Sequence, residues 1–383
     1  PVILGSATPS LESFARARKN VYTLLTLKSR AMQQDLPTVN VVDMREELKL
    51  GNRSMFSISL VEAIRERLTK KEQTVLFLNR RGYSSFVLCR DCGTVVECPN
   101  CDISLTYHRS SEKLKCHYCG HEEYVPQTCP QCLSEHIRFF GTGTQKVEEE
   151  LYKLFPEARV IRMDVDTTSK KGSHEELLDA FANDEADILL GTQMIAKGLD
   201  FPNITLVGVL SADTSLHLPD YRSAERTFQL LTQVSGRAGR HEKPGEVIIQ
   251  TYTPEHYAIE LSKEQLYEPF YEREMHMRRQ AGYPPYYYLT LVQVSHEDVM
   301  MAAEYATRAA EYLRLNLPFN VSIIGPTTAS ITRLQNRYRY QCLIKYKIEP
   351  NLIPVLLQLI KLYRSEWIKK GIQLTIDLDP SMI

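Results

Sequence analysis

Eight of the nine cysteines in this 383-residue chain lie between Cys89 and Cys132, arranged as four Cys-x-x-Cys pairs. The pairs are Cys89 and Cys92, Cys98 and Cys101, Cys116 and Cys119, and Cys129 and Cys132. Two such pairs supply the four thiolates of a tetrahedral structural zinc, so eight sulfurs suit two Zn²⁺ ions. Spacing indicates which pairs share an ion. The gap from Cys101 to Cys116 suits the two arms of a zinc ribbon, whereas that from Cys92 to Cys98 is too short. Cys98, Cys101, Cys116 and Cys119 therefore form one expected site, nested within a second made of Cys89, Cys92, Cys129 and Cys132. A disulfide framework is the competing reading, but nothing in the chain suggests secretion. Asp91, His108, His117 and His121 lie nearby. Eight sulfurs already fill two closed sites, so these four are read as solvated or outer groups. With no ligand position left open, zinc is expected to fold this segment and not to catalyse.

The remaining chain is ordinary in composition, with 43% apolar and 24% charged residues, and is long enough for two or three domains. A net charge of −1 means that any nucleic-acid-binding surface must be local. No apolar run approaches the roughly 18 residues of a membrane helix. The chain starts at Pro1, without a methionine, and reads as a fragment.

Outside the cysteines, strand and helix patterns alternate. Strands are expected at Val39–Val42, Thr74–Leu78, Val160–Met163, Ile188–Leu190, Thr205–Leu210 and Glu246–Gln250, the last closing the sheet. Helices are expected at Ser57–Thr69, Gln145–Leu154, His174–Ala182 and Arg222–Val234. This alternation implies a parallel sheet covered on both faces. The run Ile188-Leu-Leu-Gly-Thr-Gln stops at a glycine and a polar turn, as a buried strand does when it delivers groups to its carboxyl end. Downstream, Gln233, Arg237 and Arg240 fall at spacings of four and three, which a helical turn would place on one face. Two arginines and a glutamine there suit the oxygens of a polyphosphate. Gly236 and Gly239 between them each cost about 1 kcal/mol of helix propensity, which suggests close backbone packing or a ligand.

These residues resemble the fifth and sixth motifs of superfamily 2 helicases. In that family the Gln-x-x-Gly-Arg-x-Gly-Arg motif lies at a cleft between two RecA-like lobes, where its arginines reach the γ-phosphate of ATP. A fixed cation then meets the charge that builds during phosphoryl transfer. By the same resemblance, Gly198 and Asp200 belong to nucleotide binding or coupling. Thr192, Gln193 and Lys197 belong to DNA contact. Ser6-Ala7-Thr8 resembles the third motif, which couples the two, and it follows Val2–Leu4, read as a short buried strand. Asn79-Arg80-Arg81 resembles the fourth motif, placing Arg80 and Arg81 on DNA. No GxxxxGK[ST] phosphate loop and no DEx(H/D) box is found.

Beyond Glu255 two helices, roughly Glu255–Gln265 and Pro269–Gln280, lead to the turn Gly282-Tyr-Pro-Pro-Tyr286, a boundary. The tail reads strand (288–294), helix (298–315), strand (321–325), strand (337–346), helix (351–369), strand (373–378), the order of a ferredoxin-like unit. On its third strand Arg337 and Arg339 share one face and Tyr338 and Tyr340 the other. The arginines are candidates for a small basic DNA-binding face.

A second helicase lobe interrupted by two nested four-cysteine sites, then a small terminal domain, resembles the replication-restart helicases of bacteria. That resemblance implies an α/β fold: a RecA-like second helicase lobe, an inserted double zinc-binding subdomain and a C-terminal α+β ferredoxin-like domain. It divides the chain at 1–20 (end of a first lobe), 21–87 (second lobe), 88–137 (zinc insert), 138–283 (second lobe, continued) and 284–383 (DNA-binding domain). It implies a cytoplasmic, ATP- and Mg²⁺-dependent 3′→5′ DNA helicase with no membrane association. Its partners would be forked and single-stranded DNA, primosome proteins and single-strand DNA-binding protein, and it is expected as a monomer. The first lobe's phosphate loop and magnesium ligands are not found, so this chain alone is expected to be inactive. Two other classes remain: a non-catalytic zinc module that binds single strands or a protein, and a translocase on RNA or chromatin. The latter shares the lobe motifs but not the eight cysteines.

Overall fold

The computed structural model describes residues 2–27, 37–78, 86–108, 111–140, 143–164, 167–168, 172–192, 195, 201–239 and 243–381. The chain divides into two compact units. One comprises Pro1–Val96, Pro126–Leu218 and Arg222–Glu272, and the other Glu97–Val125, Pro219–Tyr221 and Arg273–Ile383.

The first unit is built on a six-stranded, wholly parallel sheet. Its spatial order is Thr38–Asp43, Glu246–Thr251, Ile204–Val209, Gln73–Phe77, Ile188–Gly191, Val160–Met163. The strands Gln73–Phe77, Ile188–Gly191 and Ile204–Val209 are buried at every position. Burial on both faces explains why they read as continuous apolar runs and not as alternating ones. Glu246–Thr251, expected to close the sheet, instead lies second from one edge, between Thr38–Asp43 and Ile204–Val209. An edge position would leave its backbone groups unpaired on one side, and Val247, Ile248 and Ile249 are instead fully covered.

Helices Ile58–Lys70 and Thr144–Leu154 cover one face together. Leu60, Ile64, Val147 and Leu151 share a core with Leu76, Ile188, Leu206 and Ile248. Ile58–Lys70 starts where the Ser57 side chain accepts a hydrogen bond from Leu60 N, 3.2 Å, and stops at Lys71, whose left-handed backbone (φ 55°) ends the helix. The chain crosses the sheet outward from 38–43 through 73–77 to 160–163, then returns through 188–191 and 204–209 to 246–251. With right-handed connections, the outward and returning crossovers lie on opposite faces. Neighbouring strands 73–77 and 204–209 therefore send their carboxyl ends to opposite faces, which opens a crevice between them.

The start of the chain differs from expectation. Val2, Ile3 and Leu4 form no strand and are 73–88% exposed. Extended backbone is not stable without a hydrogen-bonding neighbour, and none pairs with these residues among the described ones. The helix that follows, Leu11–Arg18, is capped by Ser10, whose side chain accepts from Ser13 N.

The second unit contains a three-stranded antiparallel ribbon, Thr106–His108, Lys113–Lys115 and Glu122–Tyr124, and a four-stranded antiparallel sheet. The latter has the order Ser322–Leu334, Arg337–Tyr346, Tyr288–His296, Gln373–Leu378. Helices Val299–Asn316 and Leu352–Leu362 complete a ferredoxin-like βαββαβ arrangement. Two elements depart from their expected course by more than two residues. Ser322–Leu334 runs past the expected end at Gly325 because Gly325 (φ 94°) and Pro326 sit at a register shift that the strand survives. The expected helix 351–369 is regular only to Leu362, and a π turn (Tyr363–Trp367) and a 3₁₀ turn (Ile368–Lys370) follow. The widened turn carries Trp367 into the core, 5% exposed and edge-on to Tyr305 at 5.1 Å.

Candidate metal centres and the arginine turn

The eight cysteines assemble as their spacing indicates. Sγ atoms of Cys89, Cys92, Cys129 and Cys132 lie within 4.8 Å of one another, as do those of Cys98, Cys101, Cys116 and Cys119. Individual separations are 3.7 Å for Cys89–Cys132 and 3.5 Å for both Cys92–Cys129 and Cys98–Cys119. Sulfurs at tetrahedral corners about 2.3 Å from zinc stand about 3.8 Å apart. A disulfide requires about 2.05 Å. The geometry and the all-thiol donor set fit zinc, and no histidine belongs to either group of four.

All four pairs are built on the same turn. The N–H of the residue after the second cysteine donates to the carbonyl of the first: Gly93 to Cys89 (2.8 Å), Asp102 to Cys98 (3.3 Å), Gly120 to Cys116 (2.9 Å) and Leu133 to Cys129 (2.9 Å). The first cysteine in turn donates its N–H to the carbonyl five residues on, at Thr94, Ile103, His121 and Ser134. Closing this turn requires a left-handed residue, and all four have positive φ: 79° at Gly93, 50° at Asp102, 82° at Gly120 and 60° at Leu133. Two positions carry glycine and two tolerate the strain.

Without a cation these thiols resist sharing charge. Burial pushes Cys89 and Cys98 up to about 12. Cys116 is held down at about 5 because its sulfur accepts a hydrogen bond from Cys101, with the N–H groups of Cys119 and Tyr118 assisting. A bound dication supplies the charge that would ionise the rest.

The two clusters belong to different units. The outer one closes a two-stranded antiparallel ribbon, Phe86–Cys89 with Ile137–Phe140, whose core is Phe86, Leu88 and Val95 against Tyr252. Asp91 links its two turns, accepting from Ser134 Oγ and facing His136 Nδ1 at 2.9 Å. Those hydrogen bonds, the one from Ser134 foremost, hold Asp91 below the usual carboxylate range.

The inner cluster is fastened to the four-stranded sheet. Tyr283 Oη donates to Cys101 O (2.8 Å), Gln341 Nε2 donates to His117 O (3.3 Å), and His117 Nδ1 lies 3.1 Å from Thr328 O. Burial lowers His117 to about 4, so its ring is neutral near pH 7. Beside it Tyr118, 1% exposed, accepts from Tyr221 N, and Tyr221 stacks on Tyr283 at 4.8 Å. Lys345 Nζ also lies over the Tyr283 ring, 4.2 Å from its centre. Sequence reading missed this stack. Its members come from four separated segments, so no periodic pattern announces them.

The helix expected at Arg222–Val234 is present, and the arginine motif begins inside it and runs past its end. That helix, Ser223–Ser235, ends at the cap Gly236, and Arg237 N bonds Val234 O three residues back. Gly239 then turns left-handed (φ 64°), which ends the turn that follows the helix. The cause is a backbone crossing. A Cβ on Gly239 would stand 2.4 Å from Gly245 N, and one on Gly245 would stand 2.4 Å from Ala238 C. Both positions exclude any side chain. Gln233 is exposed and Arg237 half-buried. Thr8 is buried nearby: its carbonyl accepts from Gln229 Nε2 (3.2 Å), and Leu11 N donates to Glu225 Oε1 (3.0 Å) on the same helix. Thr192 sits in the bend after Ile188–Gly191, and its carbonyl accepts from Ile195 N. Arg80, Arg81, Gln193, Lys197, Gly198, Asp200 and Arg240 lie outside the described residues.

The two tail arginines are tied down. Arg337 Nη2 donates to Ser295 O (2.9 Å) and to Gly371 O, and Arg339 Nε donates to Gln293 Oε1 (3.0 Å). They clamp neighbouring strands as well as lining one face.

A parallel helicase-type lobe with two four-thiolate zinc sites and a ferredoxin-like tail is the class of protein this architecture defines. Three family models match: the PriA DNA helicase Cys-rich region domain over residues 98–123, the helicase conserved C-terminal domain over 128–242 and the primosomal protein N C-terminal domain over 279–381. The chain is homologous over its whole length to the PriA replication restart proteins. It is 65% identical over 383 residues to that of Bacillus subtilis, covering 100% of this chain and 48% of the relative. It is 49% identical to that of Synechocystis (100% and 46%) and 37% identical to that of Treponema pallidum (99% and 56%). The chain thus spans about half the length of the curated relatives it matches. Among the described residues no helix is long and apolar enough to cross a membrane.

Proposed function

We propose that this chain is the carboxy-terminal part of an ATP-dependent 3′→5′ DNA helicase that restarts stalled replication forks and assembles the primosome in the bacterial cytoplasm. The observation that carries this reading is the joint presence of the nested zinc sites and the arginine turn, in a chain 65% identical along its full length to a replication restart protein. In this reading Arg237 and Arg240, with Gln233 beside them, are arginine fingers aimed at ATP held by another lobe. Gly198, Asp200 and Thr8 couple nucleotide to movement, and Arg80, Arg81, Thr192, Gln193, Lys197, Arg337 and Arg339 contact DNA. Residues 284–383 serve DNA binding, and the zinc insert 88–137 serves primosome assembly and strand separation. Forked and single-stranded DNA, primosome proteins and single-strand DNA-binding protein are the partners, with the protein acting as a monomer. No phosphate loop occurs in residues 1–383, so the chain by itself turns over no ATP.

The test is ATPase activity with and without forked DNA. It compares this chain with a version extended upstream by a complete first lobe, each as wild type and as Arg237→Ala or Arg240→Ala. Activity confined to the extended wild type supports the reading. Undiminished turnover in both alanine variants removes the finger roles, and an extended protein that binds DNA without hydrolysing ATP removes the helicase reading.

A further inference from the structure

The crevice that the sheet topology opens is a real cavity. It has a volume of about 370 Å³ and lies at the carboxyl ends of three adjacent strands, where Leu78, Leu210, Ser211 and Gln250 line it. In doubly wound sheets this is where ligands bind, because connections leaving to opposite faces keep the crevice unfilled. Three cations converge on it: Arg53 before helix Ile58–Lys70, Arg90 after strand Phe86–Cys89 and Lys146 on helix Thr144–Leu154.

Among the described residues none of the three forms an ion pair, and Arg90 Nε is shielded from solvent without a hydrogen-bond partner. The carboxylates at the cavity are engaged elsewhere. Glu150 faces Lys153 at 3.5 Å. Asp213, fully buried, accepts from Thr251 Oγ1, Tyr252 N and Thr253 Oγ1 at about 3.0 Å. Ser211 and Thr214, hydrogen-bonded to each other at 2.9 Å, add hydroxyl groups to the lining. Unpaired cations held around one cavity cost electrostatic energy that a bound anion would recover.

We infer that this cavity is an anion site that takes a phosphate group, held by Arg53, Arg90 and Lys146 with help from Ser211 and Thr214. The guanidiniums supply forked donors for phosphate oxygens and the lysine a point charge. The phosphate is either that of a free phosphate ester or one in a nucleic-acid backbone, since both present the same oxygens. The inference rests on the cavity and its charges and not on the helicase reading.

Calorimetric titration of the 383-residue chain with inorganic pyrophosphate, and of a labelled single-stranded oligonucleotide by anisotropy, tests it. The variants are Arg53→Ala, Lys146→Ala and their double, which alter exposed side chains and leave the fold intact. Arg90→Met is added, with zinc content checked because it adjoins Cys89. Each lost cation is expected to weaken binding about tenfold. Weakened pyrophosphate binding with unchanged oligonucleotide affinity assigns a free phosphate ester. Weakened oligonucleotide binding, displaced by pyrophosphate where that binds, assigns a backbone phosphate. If neither ligand's affinity changes in any variant, the site is not there.

Discussion

The two zinc sites use one local design in two different settings. Every Cys-x-x-Cys closes through the same pair of backbone hydrogen bonds and the same left-handed residue. The surroundings differ. The inner cluster has Cys98, Cys101 and Cys116 buried; His117 bonds it to the four-stranded sheet at Gln341 and Thr328, and Tyr283, from the turn before that sheet, bonds Cys101. The outer cluster has Cys132 exposed and is supported by a short ribbon with a core of three residues and Tyr252. The turn makes a ligand set; the neighbours decide how much of the protein depends on it.

That contrast can be broken in several ways. The largest effect should come from Cys116→Ser. Apparent zinc binding in small structural sites is worth on the order of 10–16 kcal/mol, so losing a thiolate should empty the inner site and loosen the sheet to which it is fastened. Zinc content should fall from two to one per chain, with loss of amide-exchange protection in Ser322–Leu334 and Arg337–Tyr346. Cys129→Ser should also cost one zinc yet leave those strands protected. Equal loss in both variants would mean that the clusters are not energetically distinct.

Chelation offers a second test. The outer site, with an exposed ligand, should surrender its metal first, so zinc release followed with a chromogenic chelator should show two phases. The fast phase should vanish in Cys129→Ser. A single phase would dissolve the distinction.

Smaller effects separate the turns themselves. A Cβ at Gly93 would stand 2.2 Å from Tyr252 O, whereas one at Gly120 meets only the Thr327 side chain at 3.5 Å. Gly120→Ala should therefore cost only the left-handed strain, about 1–2 kcal/mol, and Gly93→Ala distinctly more, as read by chemical denaturation. In the opposite direction, Leu133 is 76% exposed at φ 60° and contributes little packing. Leu133→Gly should raise stability by up to about 1 kcal/mol. If it lowers stability, the side chain has a contact role that its exposure does not reveal.

Much of this was legible in advance because it is local. Cysteine pairing followed from loop lengths, which limit which thiols can meet. The central strands of the parallel sheet followed from apolar runs bounded by turns. The helix leading into the arginine motif was legible to within a residue, and so was the motif's dependence on glycine; where its glycines would press was not. Gly236 and Gly239 look alike in sequence, yet only Gly239 lies against another backbone, at Gly245. The tail arginines share a strand face as alternation requires, but alternation could not show Arg337 bonded to Ser295 and Gly371.

The sequence by itself determined the ligands, the turns that present them and the strands that form the sheets, because each depends on residues a few positions apart. Tertiary structure alone decided that the two clusters join different units. It also placed Gln341 on His117, 224 positions away, and gathered Arg53, Arg90 and Lys146 around one crevice. Such contacts depend on how whole strands are ordered and which faces their connections cover. No short stretch of chain encodes that order.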